Sequence, residues 1–327
     1  MAALSVLDLC PVVEGETIAS ALQKSLALAQ AAERLGYERF WLSEHHNMQG
    51  TACAATSIVI GYVAAGTNTI RVGSGGVMLP NHAPYIVAEQ FGTLAALYPG
   101  RIDLGLGRSP GTDGLTLRAL RRDPRAAEHF PADVQELQFF FQPAAPDQPV
   151  RAVPGAGADV PLWVLGSSLA SAELAAALGL PFAFASHVSP QGLMPAIERY
   201  RARFQPSNQL DAPYVMPCLN VFAADTDDEA RYHFSSLQLG LVSFFRGEIG
   251  RIQPPVDDIE AVWTPQEKQM IEAMNTLSIV GSSATAAMKL RDFILATKAD
   301  EIMVTGNFFD SAARIRSLEL IADCLKS

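Results

Sequence analysis

The chain has 327 residues, 49% of them hydrophobic and 18% charged, with 34 acidic against 24 basic side chains and a formal net charge of −10. This much apolar material supports a large core and excludes disorder, collagen and coiled coil; the acidic balance argues against a surface built to grip a nucleic-acid backbone, which needs surplus Lys and Arg on one face. Cys10, Cys53, Cys218 and Cys324 are scattered without a CxxC or a Cys/His cluster, so no disulfide framework and no metal site are expected, and the cytoplasm is the expected compartment.

The opening run MAALSVLDLCPV has no basic flank and carries Asp8, so a signal peptide is not expected. No uninterrupted apolar window reaches the roughly 18 residues of a membrane span. Residues 4–9 are an apolar run of strand length, and 17–35 have helical spacing that stops at Gly36, a glycine placed to end a helix. Strand 39–42, helix 53–65, strand 70–74, helix 84–97, strand 101–106 and helix 127–141 follow. Residues 142–160, rich in Pro, Ala and Gly, read as a long loop. Strand 161–165, helix 168–178, strand 181–185, helix 192–203 and strand 214–223 continue the alternation. Residues 226–277 read as inserted helices around the turn-forming QPPVDD; helix 284–297, strand 301–305 and helix 311–325 close the chain.

Eight strands, each followed by helical sequence, imply a parallel sheet. Eight such units in a chain of this length predict a closed (β/α)8 TIM barrel. It is expected to be one domain over 1–327, with 226–277 a helical insertion before the last βα unit. The competing architecture is an open sheet capped by 226–277.

In such a barrel the chemistry sits where strands end and the following loops begin. After the second strand stand Glu44, His45 and His46. Neighbouring side chains on an extended segment point opposite ways, so at most one of the two histidines faces the barrel axis. Adjacent histidines lack the spacing that puts two ligands on one metal, and no carboxylate or Cys cluster completes a set. One histidine therefore reads as a proton donor or acceptor, with a polar loop network as the bland alternative. After the third strand, Ser74-Gly75-Gly76 lets a flat ligand approach the backbone. His82, in the rigid LPNHAP turn, has no visible partner and reads as structural or solvated. After the fourth strand, GLGRSPG has the wrong spacing for a dinucleotide fingerprint and no helix opens directly after it, but it offers one cation, Arg108, suited to a phosphate or to a salt bridge.

After the fifth strand, Gly166-Ser167-Ser168 opens a helix, where free amides and hydroxyls can seat an anion or simply cap the helix. A second GSS at 281–283 competes with it, and on the residues alone the choice is close. The apolar runs YVMPCLNVF and LVSFF, between 214 and 245, read more readily as core than as pocket lining.

The ordered set SEHHN (43–47), GGVMLPNHAP (75–84), AEQFGTLAALYPGRIDLGLGRSPG (88–111), LGSSLASAELAAALGLPFAFASH (165–187) and TKADEIMVTGNFFD (297–310) resembles the bacterial luciferase-like, flavin-dependent monooxygenases, most closely the alkanal monooxygenase-like branch. The resemblance covers almost the whole chain and is itself to a barrel family. It implies reduced FMN at the C-terminal mouth, supplied by a separate flavin reductase, with dioxygen oxidising a small apolar organic substrate such as an aldehyde. His45 matches the family's active-site histidine. Arg108 and the turn Gly166, Ser167, Ser168, Ser171 match the flavin-phosphate site, which favours the first GSS. Gly75 and Gly76 match a place where the family has a strained, sometimes cis, peptide beneath the flavin ring. The histidine of LPNHAP stands one place away from the family's, so no catalytic role passes to His82, and serines replace an acid and threonines in the phosphate turn. A homodimer formed through barrel helices is expected. The alternatives are an F420-dependent hydride transferase and a flavin-binding protein without chemistry of its own.

Overall fold

A computed structural model describes residues 2–324, and among these are nine parallel strands. They are β1 (Ala3–Asp8), β2 (Arg39–Leu42), β3 (Arg71–Met78), β4 (Ile102–Gly107), β5 (Leu162–Gly166), β6 (Phe182–Phe184), β7 (Val215–Ala224), β8 (Ile279–Ser282) and β9 (Glu301–Thr305). The helices are α1 (Ile18–Leu35), α2 (Thr56–Ala65), α3 (Pro84–Leu97), α4 (Gly114–Ala119), α5 (Phe130–Phe141), α6 (Leu169–Leu178), α7 (Leu193–Arg203), α8 (Asp227–Arg246), α9 (Pro265–Met274), α10 (Ser283–Thr297) and α11 (Ser311–Cys324). Strands β1 to β7 pair in order, β7 pairs β9 (Cys218 opposite Met303), and β9 returns to β1 (Ile302 opposite Leu4), closing the expected eight-stranded TIM barrel. Residue 325, assigned to the last helix by periodicity, lies outside the described residues.

Three local features differ from the sequence reading. The first is β8, four residues that the pattern treats as the lead-in to the second GSS helix. β7 is ten residues long; while Cys218–Asn220 pair with β9, its far end at Val221–Ala224 pairs with β8 outside the ring. An edge left bare by a long strand is thereby covered. The second is β3, which continues past 74 to Met78, with a register shift against β4 between Ser74 and Val77 and a cis peptide at Gly75–Gly76. Here the two backbones come close: a Cβ on Gly76 would stand 2.8 Å from the Gly105 carbonyl oxygen, a spacing that glycine alone allows.

The third is α4, where no helix was expected. The Asp113 carboxylate accepts from the amides of Leu115 (2.8 Å) and Thr116 (2.9 Å) and so caps six residues with no buried face. Elsewhere the differences are boundary shifts. The second helix starts at Thr56, and the run 127–141 divides into a 3-10 turn (Ala126–Glu128) and α5.

The main apolar core lies between the strands and the helical layer. Inside the barrel the side chains form layers. At the N-terminal end, Arg39 bonds Asp103 and Glu301, each at 2.8 Å; Arg71 reaches Asp103 at 2.5 Å, and the Tyr214 hydroxyl donates to Glu301 at 2.9 Å. Burial works to lower the Arg39 pKa, but the two carboxylates more than reverse it and hold the guanidinium charged. Above this plug Trp41, Trp163, Met216 and Met303 fill the middle. The interior opens at the C-terminal end of the strands. No described helix is long and apolar enough to cross a membrane.

Candidate active site

The opening is a cavity of about 1040 Å³, walled by residues on or just after all eight ring strands. All eight residues singled out from the sequence line it: His45, Gly75, Gly76, Arg108, Gly166, Ser167, Ser168 and Ser171. The alternation argument for His45 and His46 agrees with the geometry. His45 lines the cavity, while His46 turns away and bonds the Glu44 carboxylate at 2.8 Å.

His45 is held by its amide, which donates to the Cys53 carbonyl (3.1 Å), and by Nδ1, which lies 3.3 Å from the Ser43 hydroxyl. No hydrogen bond among the described residues engages its Nε2. Burial pushes its pKa below the ordinary histidine value; the Glu44 charge opposes that and His46 adds to it. The ring is therefore neutral at neutral pH and has a nitrogen to spare.

Arg108 is exposed on the loop after β4, and among the described residues its guanidinium makes no hydrogen bond or ion pair. Glu128 lines the same rim. At the end of the neighbouring strand β5, Ser168 caps α6 in a reciprocal box: its hydroxyl accepts from the Ser171 amide and the Ser171 hydroxyl accepts from the Ser168 amide, both at 3.3 Å. The bland reading of this turn, a helix cap, is thus true. It coexists with the unpartnered amides that any helix start presents. Gly166 is needed for the turn, because a Cβ there would run into the Ser171 side chain.

The second GSS is built differently. Ser282 caps α10, and its amide donates to the Asp227 carboxylate at 2.6 Å. That bond is the leading cause holding the Asp227 carboxyl below its ordinary pKa. The chain's own carboxylate already occupies the anion position at this helix start, and the turn does not line the cavity.

His82 has a partner after all. Its Nε2 lies 2.7 Å from Glu44 Oε1, the same oxygen that His46 approaches, and Glu44 Oε2 accepts from the Met78 amide at 3.1 Å. Burial works to raise the Glu44 carboxyl, but the bonds from His82, His46 and Met78 outweigh it and hold the group below its ordinary value. These ligand atoms lie within 4.8 Å of one another, a two-histidine, one-carboxylate set that the sequence reading did not assemble. Both histidine nitrogens stand at direct hydrogen-bond distance from the shared oxygen, so the three side chains satisfy one another as they are. The network ties the end of β2 to β3 behind His45.

Sequence reasoning missed His187 after β6, Asn220 on β7, and Thr305 and Asn307 at the end of β9, all of which line the cavity. The strand-end rule that singled out Glu44, His45 and His46 also applied to the SH of FASH and to TGN. The apolar runs prove double-sided. Met216, Cys218 and Asn220 alternate into the cavity while Val215, Leu219 and Val221 join the core, and Leu237, Leu241 and Phe244 of α8 roof the cavity.

The family model described as luciferase-like monooxygenase matches residues 7–298. The chain is similar to the Escherichia coli (strain K12) protein named luciferase-like monooxygenase, 51% identical over 322 residues, covering 98% of this chain and 96% of the relative. It is also similar to the N-acetyl-S-alkylcysteine monooxygenase of Bacillus subtilis (strain 168), 33% identical across 99% of this chain and 98% of that one. Among solved structures, apo-MsnO8 superposes with a TM-score of 0.88 at 35% identity, covering 100% of this chain and 99% of that one. The oxygenating constituent of 3,6-diketocamphane monooxygenase in complex with FMN shares the fold, with a TM-score of 0.70 at 18% identity over 98% and 97% of the two chains.

Proposed function

We propose that this chain, which belongs to the luciferase-like monooxygenase family of oxidoreductases, binds reduced FMN at its barrel mouth and uses dioxygen to oxidise a small apolar organic substrate. The observation that carries this reading is the convergence of His45, Gly75–Gly76, Arg108 and the Gly166–Ser171 turn on one cavity. When bound, the reduced flavin would supply the electrons for oxygen chemistry.

The residues present fit that group. Arg108, unpaired at the rim, would grip the phosphate bidentately, and the first-turn amides of α6 would complete the anion site. The side-chain-free backbone at Gly75–Gly76 would let a flat ring lie against β3. His45, neutral and with Nε2 free, would accept or return a proton beside that ring. The apolar sides of the cavity and the α8 roof would keep water from the reacting centre. A separate flavin reductase would supply the reduced cofactor.

Titration with FMN and with riboflavin tests the reading. FMN should bind the wild type more tightly than riboflavin. Arg108→Ala should weaken FMN by about 1.5–3 kcal/mol, the worth of a charge-assisted bond, and leave riboflavin unchanged. Equal affinity of the wild type for both ligands would overturn the phosphate site. Tighter binding of F420 than of FMN would replace the monooxygenase reading by hydride transfer.

A further inference from the structure

The cavity has two unlike halves. The residues proposed for the flavin stand on the β2–β5 side. On the β6–β9 side, under α8, the walls are apolar (Met216, Met303, Leu237, Leu241) and the strand ends are polar. Three buried polar atoms there have no hydrogen-bond partner among the described residues: His187 Nδ1, Thr305 Oγ1 and Asn307 Oδ1. Thr305 is 6% exposed. No hydrogen bond among the described residues engages either end of the Asn307 amide. Buried polar groups in folded proteins are almost always satisfied, so such a cluster on a cavity wall marks where a ligand's polar atoms belong.

We infer that Thr305 and Asn307, with His187 on the other side of β7, form a substrate subsite for an uncharged amide-like head, an N–H donor next to a carbonyl acceptor, carried on a short apolar chain. This rests on the flavin occupying the other half. The side-chain amide of Asn307 both donates and accepts, and a hydroxyl does either. A ketone or aldehyde would leave Asn307 Oδ1 without a donor; a carboxamide meets both needs. The head is uncharged because the charged side chains lining the cavity, Arg108 and Glu128, stand on the loop after β4 and on the 3-10 turn before α5. Burial and the nearby His45 lower the His187 pKa to about 4, so that ring is neutral too.

Octanamide and 2-nonanone test this, since they differ by an NH2 in place of a CH3. Both are titrated calorimetrically into the full chain, with and without saturating FMN, for the wild type, Asn307→Leu and Thr305→Val. The change of the amide-to-ketone affinity ratio between wild type and variant cancels the stronger hydration of the amide, which is common to both proteins. Each substitution should shift that ratio toward the ketone by about fivefold or more, the worth of one net hydrogen bond, while FMN affinity stays within about twofold. A smaller shift in both variants overturns the proposal. So does a loss of FMN affinity with the ratio unchanged, which assigns the polar edge to the flavin's pyrimidine ring. Failure of FMN to bind the wild type would instead sink the flavin reading, and is read in a separate titration.

Discussion

His45 sits between opposing influences: burial lowers its pKa, the neighbouring Glu44 raises it, and His46 lowers it again, with burial the largest. If His45 manages the proton as proposed, its neutral form is the working one. A lowered pKa keeps that form populated below pH 6.5, the ordinary histidine value. Turnover should therefore hold through pH 6.5 and fall only as the pH drops through the lowered value. His45→Gln should abolish that acid limb and reduce kcat by roughly 10²–10⁴-fold with FMN affinity unchanged. The pH profile of kcat checks this; an acid limb that survives in His45→Gln would show that another group carries it. Only part of His45's role was legible in the sequence: alternation at a strand end leaves one of His45 and His46 for the mouth, and the family resemblance, not the alternation, points to His45. Its support was not. Glu44 meets His82 across 38 positions because β2 and β3 lie side by side, and nothing in LPNHAP announces that contact.

At the scale of elements, the polar plug at the base of the barrel joins four strands. Asp103 on β4 accepts from Arg39 and Trp41 of β2 and from Arg71 of β3, and Arg39 also holds Glu301 of β9. Asp103 and Glu301 are fully buried and Arg39 is buried with them, so the Arg39 guanidinium depends on these carboxylates for solvation, while Arg71, part-exposed, also donates to the Gly100 carbonyl. Asp103→Ala would leave two cations facing a vacated acceptor and should cost about 3–5 kcal/mol. Urea denaturation reads it as a lower midpoint at unchanged slope. A loss below about 1 kcal/mol would mean that water replaces the carboxylate and the plug is not structural. The strands themselves were legible from their apolar runs, and so was their number in the ring. The charges inside RFWL, RIDLGL and EIMVT found their purpose only through closure, which sets β9 beside β1. β8 and α4 escaped detection for a related reason: four extended residues and six exposed helical ones bury too little to imprint a period on the sequence.

At the scale of the whole molecule, the outer faces of α2 and α3 carry exposed apolar side chains. Helix α2 turns Val59, Ile60, Val63 and Ala64 to the core, yet its outer face is apolar as well: Ile58 is 72% exposed and Tyr62 42%. The adjoining α3 adds Ile86 and Leu97 at 44% and 63%, and the Tyr98 hydroxyl just past it donates to the Gly61 carbonyl of α2 at 3.2 Å, fixing the two helices as one face. A helix apolar all round is normally buried on both sides, and an apolar patch spanning two helices is the usual mark of an interface. This is the face on which the proposed homodimer would form, since a two-fold contact needs a single self-complementary patch. The wild type should then sediment at about 70 kDa, twice the 35.0 kDa of one chain, and Ile58→Asp should shift it to a single chain by placing two desolvated carboxylates at the contact. Ile58 lies on the outside of the barrel and does not line the mouth, so the variant should still bind FMN like the wild type. A wild type that sediments as one chain would remove this face as a homodimer contact and leave the cavity argument untouched.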